Sequence, residues 1–469
     1  MAAAWYLTHS TIPVDVTLVE ASQRVGGVLE TVYDGPYLVE RSADNFATLI
    51  PDAIEFCQST GYQNELITPN QEGRQAFVLN RGRILPIPVG FSLMQPTRIG
   101  PILTTKTLSW RGKARLIGEY FVRARKSEED ESLEQFATRR LGREAFDNLV
   151  EPIVSGIFTA DPARLSMQAT LPQFVAMEKK SGGLIRGHLA ACRDNASAAS
   201  KRASGARYDQ FLAPRLGMCH WLQHILQQLP LECVQFDTRV RTVQIASQSI
   251  SNHDRDAGRC LPRYVVETSR GPIACDAVIL ATPAHQTGEI LRHSFSQIAE
   301  QLDEIPYASS AVFAVVLDRA EINSRIDGFG LIIPRVESRH ALAISYTSNK
   351  YPGRVPAGQI LLRIFLGGAM QPEILLRDDC ELVEVGLREI REILQWRGSS
   401  PKWQALIRWN HAMPQYHIGH TQLMHKLNAL LSATPNLYVC GAGYSGVGIP
   451  QCIRSGKQAA EHIIQLLSE

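Results

Sequence analysis

Three short stretches carry residue types that could act together on a nucleotide. The run VDVTLVEAS ends on Glu20, an acid placed where a buried parallel strand gives way to its loop. In a nucleotide-binding βαβ unit an acid at that point accepts hydrogen bonds from ribose hydroxyls. Arg24, Val25, Gly26 and Gly27 follow. Paired glycines let the backbone approach a pyrophosphate, and the arginine offers charge. Near the other end, NLYVCGAGYSGVGIPQCIRSGKQAAEHI reads as an apolar strand, a loop with Gly441, Gly443, Gly446 and Gly448, and then a helix. Its spacing satisfies GxGxxG, but the 469 residues leave no room after it for the second strand and distant acid of a dinucleotide unit. A glycine loop entering a helix N-terminus still offers N–H groups and a positive dipole end, which suits the ring or ribityl part of a flavin. The third stretch, CDAVILATPA, ends a core strand at Ala281, Thr282 and Pro283, beside the same cofactor if the sheet is shared.

Other reactive side chains form no such set. His220 and His224 are spaced i, i+4 on a predicted helix, and His411, His417, His420 and His425 cluster later. No third ligand converges on either group, so structural or surface histidines are expected and no metal site is assigned. Neither a Ser-His-Asp pattern nor a catalytic carboxylate pair is apparent.

The elements that must position these stretches are legible in outline. AAAWYL reads as a helix entered halfway. Ser132 and Gln135 form a capping box ahead of an apolar stripe at Leu133, Phe136, Leu141, Phe146 and Leu149. Residues 89–190 read as mainly helical, and 193–207 as a polar surface loop. Strands are expected at VQFDTRVRTVQI, RYVVET, CDAVILATP, AVFAVVLD, FGLIIP, ALAISYTS and QILLRIFLGG, then a helix carrying Leu382, Val385, Leu387, Ile390, Ile393 and Leu394. Strands that connect distant parts of the chain imply interleaved domains.

Bulk properties narrow the class. A net charge of +2 on a mixed background gives no footprint for nucleic acid. Nine scattered cysteines without a CxxC pair argue against a disulfide framework or a zinc site. No apolar run approaches the ~18–20 residues of a spanning helix, so a cytoplasmic protein is expected, peripheral on the inner face of the membrane at most. Arg111, Lys113, Arg115, Arg123, Arg125 and Lys126 read as a solvated helix face or as a patch for anionic lipid headgroups.

The chain resembles the FAD-dependent protoporphyrinogen and coproporphyrinogen oxidases, within the amine-oxidase-like flavoproteins. The resemblance rests on VTLVEASQRVGG, VERSADNF, SLEQFATRRLGREAFDNLVEPIVSGIFTADP, SGGLIRG, CDAVILATPA, GFGLIIPR, YPGRVP, FLGGA and GAGYSGVGIPQCIRSGKQAA. It implies FAD contacts at Glu20, Ala21, Arg24, Gly27, Val28, Ser42, Ala43, Asp44, Asn45, Val240, Ala442, Val447, Gly448 and Ile449. For the substrate it implies Tyr346 and Ile326 against the tetrapyrrole and Gly156 lining the pocket. The family's propionate-binding arginine falls near Ala76, so Arg74 or Arg83 would anchor the carboxylates.

The implied fold class is α/β. An FAD-binding Rossmann-like domain (1–60, 208–283, 432–469) would be interleaved with an α+β substrate domain (61–88, 284–431), and a helical, membrane-facing subdomain would span 89–207. The family has a strand and a GxGxxG loop before its first helix, whereas this sequence matches from the middle of that helix. An in-frame strand and glycine loop are therefore expected upstream. The implied reaction is oxygen-dependent oxidation of protoporphyrinogen IX to protoporphyrin IX, as three hydride transfers to FAD with hydrogen peroxide formed. The alternatives are coproporphyrinogen III as substrate, an inactive or porphyrin-binding product and, more distantly, an amine oxidase. Porphyrinogen, oxygen, a membrane surface and haem-pathway enzymes are the implied partners.

Overall fold

The computed structural model describes residues 1–195, 210–246 and 263–468. Most of the expected 193–207 loop lies outside the described residues; the helix Leu184–Asn195 occupies its first three positions.

Parallel strands occur in the apolar runs VTLVE, AVIL and NLYV, but as two separate pairs, and the expected strand VQFDTRVRTVQI divides into Val234–Gln235 and Val240–Ile245. Leu18–Val19 pairs with Val234–Gln235, and Val278–Leu280 pairs with Leu437–Val439. These ladders are only two or three residues long. The helices Ala2–Thr8 and Ile449–Ser468 pack closely enough that a Cβ on Gly456 would lie 3.3 Å from the Ala3 nitrogen. Phe46, Trp221, Phe56 and Ile453 fill the core between these elements, with Leu18, Leu29 and Ile449 at its margin.

The larger architecture is a seven-stranded sheet. From one edge to the other its strands are Trp403–Pro414, Tyr307–Asp318, Gln359–Gly367, Ala341–Tyr346, Gly330–Ile332, Ala76–Asn80 and Arg83–Pro86. Alternation along each strand sends side chains to opposite faces. Phe313, Val315 and Leu317 meet the helix Asp379–Leu394, whose buried stripe includes Leu382, Val385, Ile390 and Ile393. Helix and strand approach so closely there that a Cβ on Gly386 would lie 2.3 Å from the Phe313 ring. The other face, with Val312, Ala314, Val316 and Leu361, covers Val39.

The third part is helical after a short hairpin, Phe91–Ser92 with Gln95–Pro96. Ser132 and Gln135 make the expected reciprocal cap on the helix Leu133–Leu141. Arg140, fully buried, pairs with the carboxylates of Glu119 and Glu178. Half of the expected cationic patch is used internally. Lys113 Nζ donates to the Leu103 carbonyl, Arg115 to the carbonyls of Arg139 and Arg140, and Arg125 pairs with Glu129 and Glu131. Arg111, Arg123 and Lys126 remain exposed. No described helix is long and apolar enough to cross a membrane.

Candidate functional site

Glu20 sits at the carboxyl end of its strand, where its backbone N–H donates to the Gln235 carbonyl at 2.9 Å. Its Oε1 accepts from the Ser22 N–H and hydroxyl, both at 2.8 Å. The Thr238 N–H donates to the Glu20 carbonyl at 3.0 Å, which brings the start of the Val240–Ile245 strand beside the acid. Glu20, Ala21 and Val240 thus share one end of the site.

The loop after Glu20 is shaped by its own arginine. Arg24 donates to the carbonyls of Val25, Gly27 and Leu29 and pairs with Glu30 at 3.1 Å. Its charge therefore folds the loop instead of standing ready for an incoming anion. Gly26 and Gly27 have φ of +109° and +57°, a region L side chains rarely adopt. A Cβ on Gly26 would lie 2.3 Å from Leu222. Val28 is exposed, and its carbonyl accepts from the Ser42 hydroxyl at 2.5 Å.

That bond leads to the 42–45 loop, which charges hold. Asp44 is buried and pairs with Arg363 at 2.6 Å and Lys350 at 3.4 Å. Burial opposes ionisation of Asp44, but the Arg363 guanidinium, with Lys350 and Arg354, brings its carboxyl down to about 2. Arg363 also donates to the carbonyls of Glu40 and Ser42. Asn45 donates to Asp44 at 2.9 Å. Glu40 accepts from the Thr31 hydroxyl and the Met218 N–H, yet burial raises its carboxyl to about 6.

From the other end of the chain comes the 441–448 loop. Gly441 and Gly446 have φ of +115° and +142°. The loop is tied by hydrogen bonds from neutral side chains. Tyr416 donates its hydroxyl to the Ala442 carbonyl at 2.6 Å and accepts the Gly446 N–H at 2.8 Å. His420 Nε2 lies 2.9 Å from the Tyr444 carbonyl, and Ser455 Oγ accepts the Gly441 N–H at 3.0 Å. Val447 packs against the helical core, and Ile449 opens the 20-residue helix Ile449–Ser468. An acid at a strand end with its Oε1 held by Ser22, positive-φ glycines and a helix N-terminus fit the donors and acceptors of FAD.

The residues expected to meet substrate do not form one group. Gly156, in the helix Glu151–Phe158, faces Ala343: a Cβ there would lie 3.8 Å from the Ala343 Cβ, in ordinary contact. That side of the sheet also carries Arg363, paired with Ser345. Tyr346 and Ile326 are buried on the opposite, helix-backed side. The Tyr346 hydroxyl has no hydrogen-bond partner there, and burial raises its phenol above the usual range. Arg74 donates to the Asn70 carbonyl, and the Asn70 N–H donates to the Lys350 carbonyl, so Arg74 lies at the Asp44 end of the sheet. Arg83, exposed, lies at the far end of the Ala76–Asn80 hairpin, beside the turn whose N–H groups bind Glu337.

Sequence reasoning did not single out Arg363, Lys350 or Tyr416, and noted His420 only within a histidine cluster. A strand-interior arginine in QILLRIFLGG was the one local signal for Arg363. Two of the other histidines have ordinary partners: His220 Nδ1 meets the Tyr62 hydroxyl, and His224 Nε2 meets the Thr60 carbonyl. Among the described residues no three His, Cys, Asp or Glu side chains could hold a metal ion.

A glycine loop, an acid at a parallel strand end and a helix-backed, mostly antiparallel sheet are features of a flavoprotein of the amine-oxidase type. The chain belongs to the flavin-containing amine oxidoreductase family, whose profile matches residues 1–464. It is an FAD-dependent oxidoreductase. Its relatives include coproporphyrinogen III oxidase of Bacillus subtilis, 31% identical over 100% of this chain and 96% of that protein. Protoporphyrinogen oxidase 1 of Spinacia oleracea is 26% identical over 100% of this chain and 82% of that protein. Among solved structures, a protein from Exiguobacterium provisionally assigned as a protoporphyrinogen oxidase superposes with a TM-score of 0.82 at 25% identity, covering 99% of this chain and 96% of that one.

Proposed function

We propose that the chain oxidises coproporphyrinogen III to coproporphyrin III, with FAD bound between the Glu20, 42–45 and 441–448 loops. The similarity that spans the whole chain carries this reading. Relatives named coproporphyrinogen III oxidase are 31%, 28% and 26% identical and plant proteins named protoporphyrinogen oxidase 25–27%, so the two highest identities fall to the first name. That ordering favours the tetracarboxylate over protoporphyrinogen IX, the first expectation, which becomes the second reading.

FAD, when bound, accepts hydride equivalents and passes them to oxygen as hydrogen peroxide. The chain's own residues bind and orient. Glu20 would accept from ribose hydroxyls, Gly26 and Gly27 would let the backbone come close to the phosphates, and Arg363 sets the 42–45 loop. The wall at Gly156 and Ala343 offers a flat apolar approach on the side of the sheet where Arg363 acts. Arg74, at that end, is the better placed of the two arginines for a propionate. An Arg74→Ala chain should show a raised KM and an Arg83→Ala chain an unchanged one.

Porphyrin fluorescence from each porphyrinogen decides the substrate. Faster turnover of coproporphyrinogen III is expected; turnover of protoporphyrinogen IX alone would overturn the reading. The exposed Trp110 and Phe121, with Arg111 and Arg123 near them in sequence, support peripheral contact with an anionic bilayer. Sedimentation with phosphatidylglycerol vesicles should remove the chain from the supernatant, and Trp110→Ser should leave it there.

A further inference from the structure

We infer that Tyr416 and His420 are positioning residues for the flavin, acting together as a neutral clamp that preforms the 441–448 loop. The inference rests on the placement of FAD at that loop. Tyr416 spans the loop's chord, since its one hydroxyl donates to Ala442 and accepts from Gly446, four residues on. A buried phenol with both roles filled cannot rotate without orphaning a backbone group. His420 stacks on Tyr416 with ring centroids 4.1 Å apart and planes 15° from parallel. Its Nε2 meets the Tyr444 carbonyl, which can only accept, so that nitrogen carries the hydrogen. Burial holds the His420 imidazole below its ordinary value, in keeping with a neutral donor.

The clamp also ties the loop to the rest of the molecule. Tyr416 belongs to the core of the helical part, and its own carbonyl accepts the Ser166 N–H at 2.7 Å. On the loop's far side the Tyr307 hydroxyl lies where a Cβ on Gly443 would be 2.9 Å away, and it accepts the Ala284 N–H. The segment is thus braced from the helical part, from the sheet and by Ser455 of its own helix. A loop braced in this way meets a flavin with its backbone groups already oriented.

The test titrates FAD into the full-length apoprotein and follows flavin fluorescence, the visible spectrum and the midpoint potential. Tyr416→Phe should bind FAD roughly tenfold or more weakly, with altered band structure and a shifted potential. Its apoprotein melt should move by no more than about 2–4 °C. His420→Leu should behave alike, and His420→Gln, which keeps a donor for Tyr444, should recover most of the affinity. Affinity within about twofold of the parent and an unaltered spectrum for both Tyr416→Phe and His420→Leu would overturn the clamp. A parent chain that takes up no FAD would instead overturn the placement of the cofactor, and the clamp with it.

Discussion

The 42–45 and 441–448 loops reach the same region from opposite ends of the chain, and different forces hold them. Asp44, Arg363 and Lys350 fix the first with buried charges. Tyr416, His420 and Ser455 fix the second with neutral hydrogen bonds. A buried ion pair gains little over an apolar substitute, but losing one partner leaves a charge in low dielectric. A neutral bond contributes about 1 kcal/mol and fails more gently. The first loop is therefore sensitive to pH and to single substitutions, whereas the second trades strength for independence from pH.

The largest break in that contrast should come from Arg363→Met. It leaves Lys350 as the cation paired with the Asp44 carboxylate and frees the carbonyls of Glu40 and Ser42, so urea unfolding should show a loss of about 3 kcal/mol. Acid should come next. The Asp44 carboxyl is lowered from 3.8 to about 2 when folded, so its contribution is complete above the unfolded value and disappears as pH falls between the two. A loss of about 2 kcal/mol across that window is expected, absent in Asp44→Asn.

Glu40 has the opposite sign. Its carboxyl rises from 4.5 to about 6 when folded, so its contribution is complete below the unfolded value and disappears as pH rises through the folded one. Stability should decline by about 2 kcal/mol over that window, and Glu40→Gln should flatten the slope. The smallest effect should be Tyr416→Phe, about 1 kcal/mol in urea unfolding of the apoprotein and the same at pH 5 and pH 7. A clear pH dependence there would show that the second loop is not neutral after all.

Much of the frame was legible in residue order. Apolar runs, alternation and caps located four strands of the large sheet, the Asp379–Leu394 helix and the capping box at Ser132, because those signals depend on neighbours a few residues apart, but they missed Trp403–Pro414, Ala76–Asn80 and Arg83–Pro86. The motifs also marked both loops proposed to hold the cofactor. Less legible was what holds the loops, since Arg363 meets Asp44 across more than three hundred residues and reads locally as one charge in a strand. Arg24 shows the reverse error: its place beside two glycines suggested an anion ligand, and the fold turned its guanidinium onto its own loop.

By itself, then, the sequence determined the class of chemistry: an acid at a strand end, glycines where backbone must come close, and the family those motifs define. Only the tertiary structure decided which charges remain available and which are consumed. It folded Arg24, Lys113 and Arg115 onto carbonyls, put Tyr346 and Gly156 on opposite faces of a sheet, and set a tyrosine and a histidine against a distant glycine loop. The physical reason is that hydrogen-bond and ion-pair partners are chosen by proximity in space, while periodicity and composition report only whether a side chain is buried or exposed.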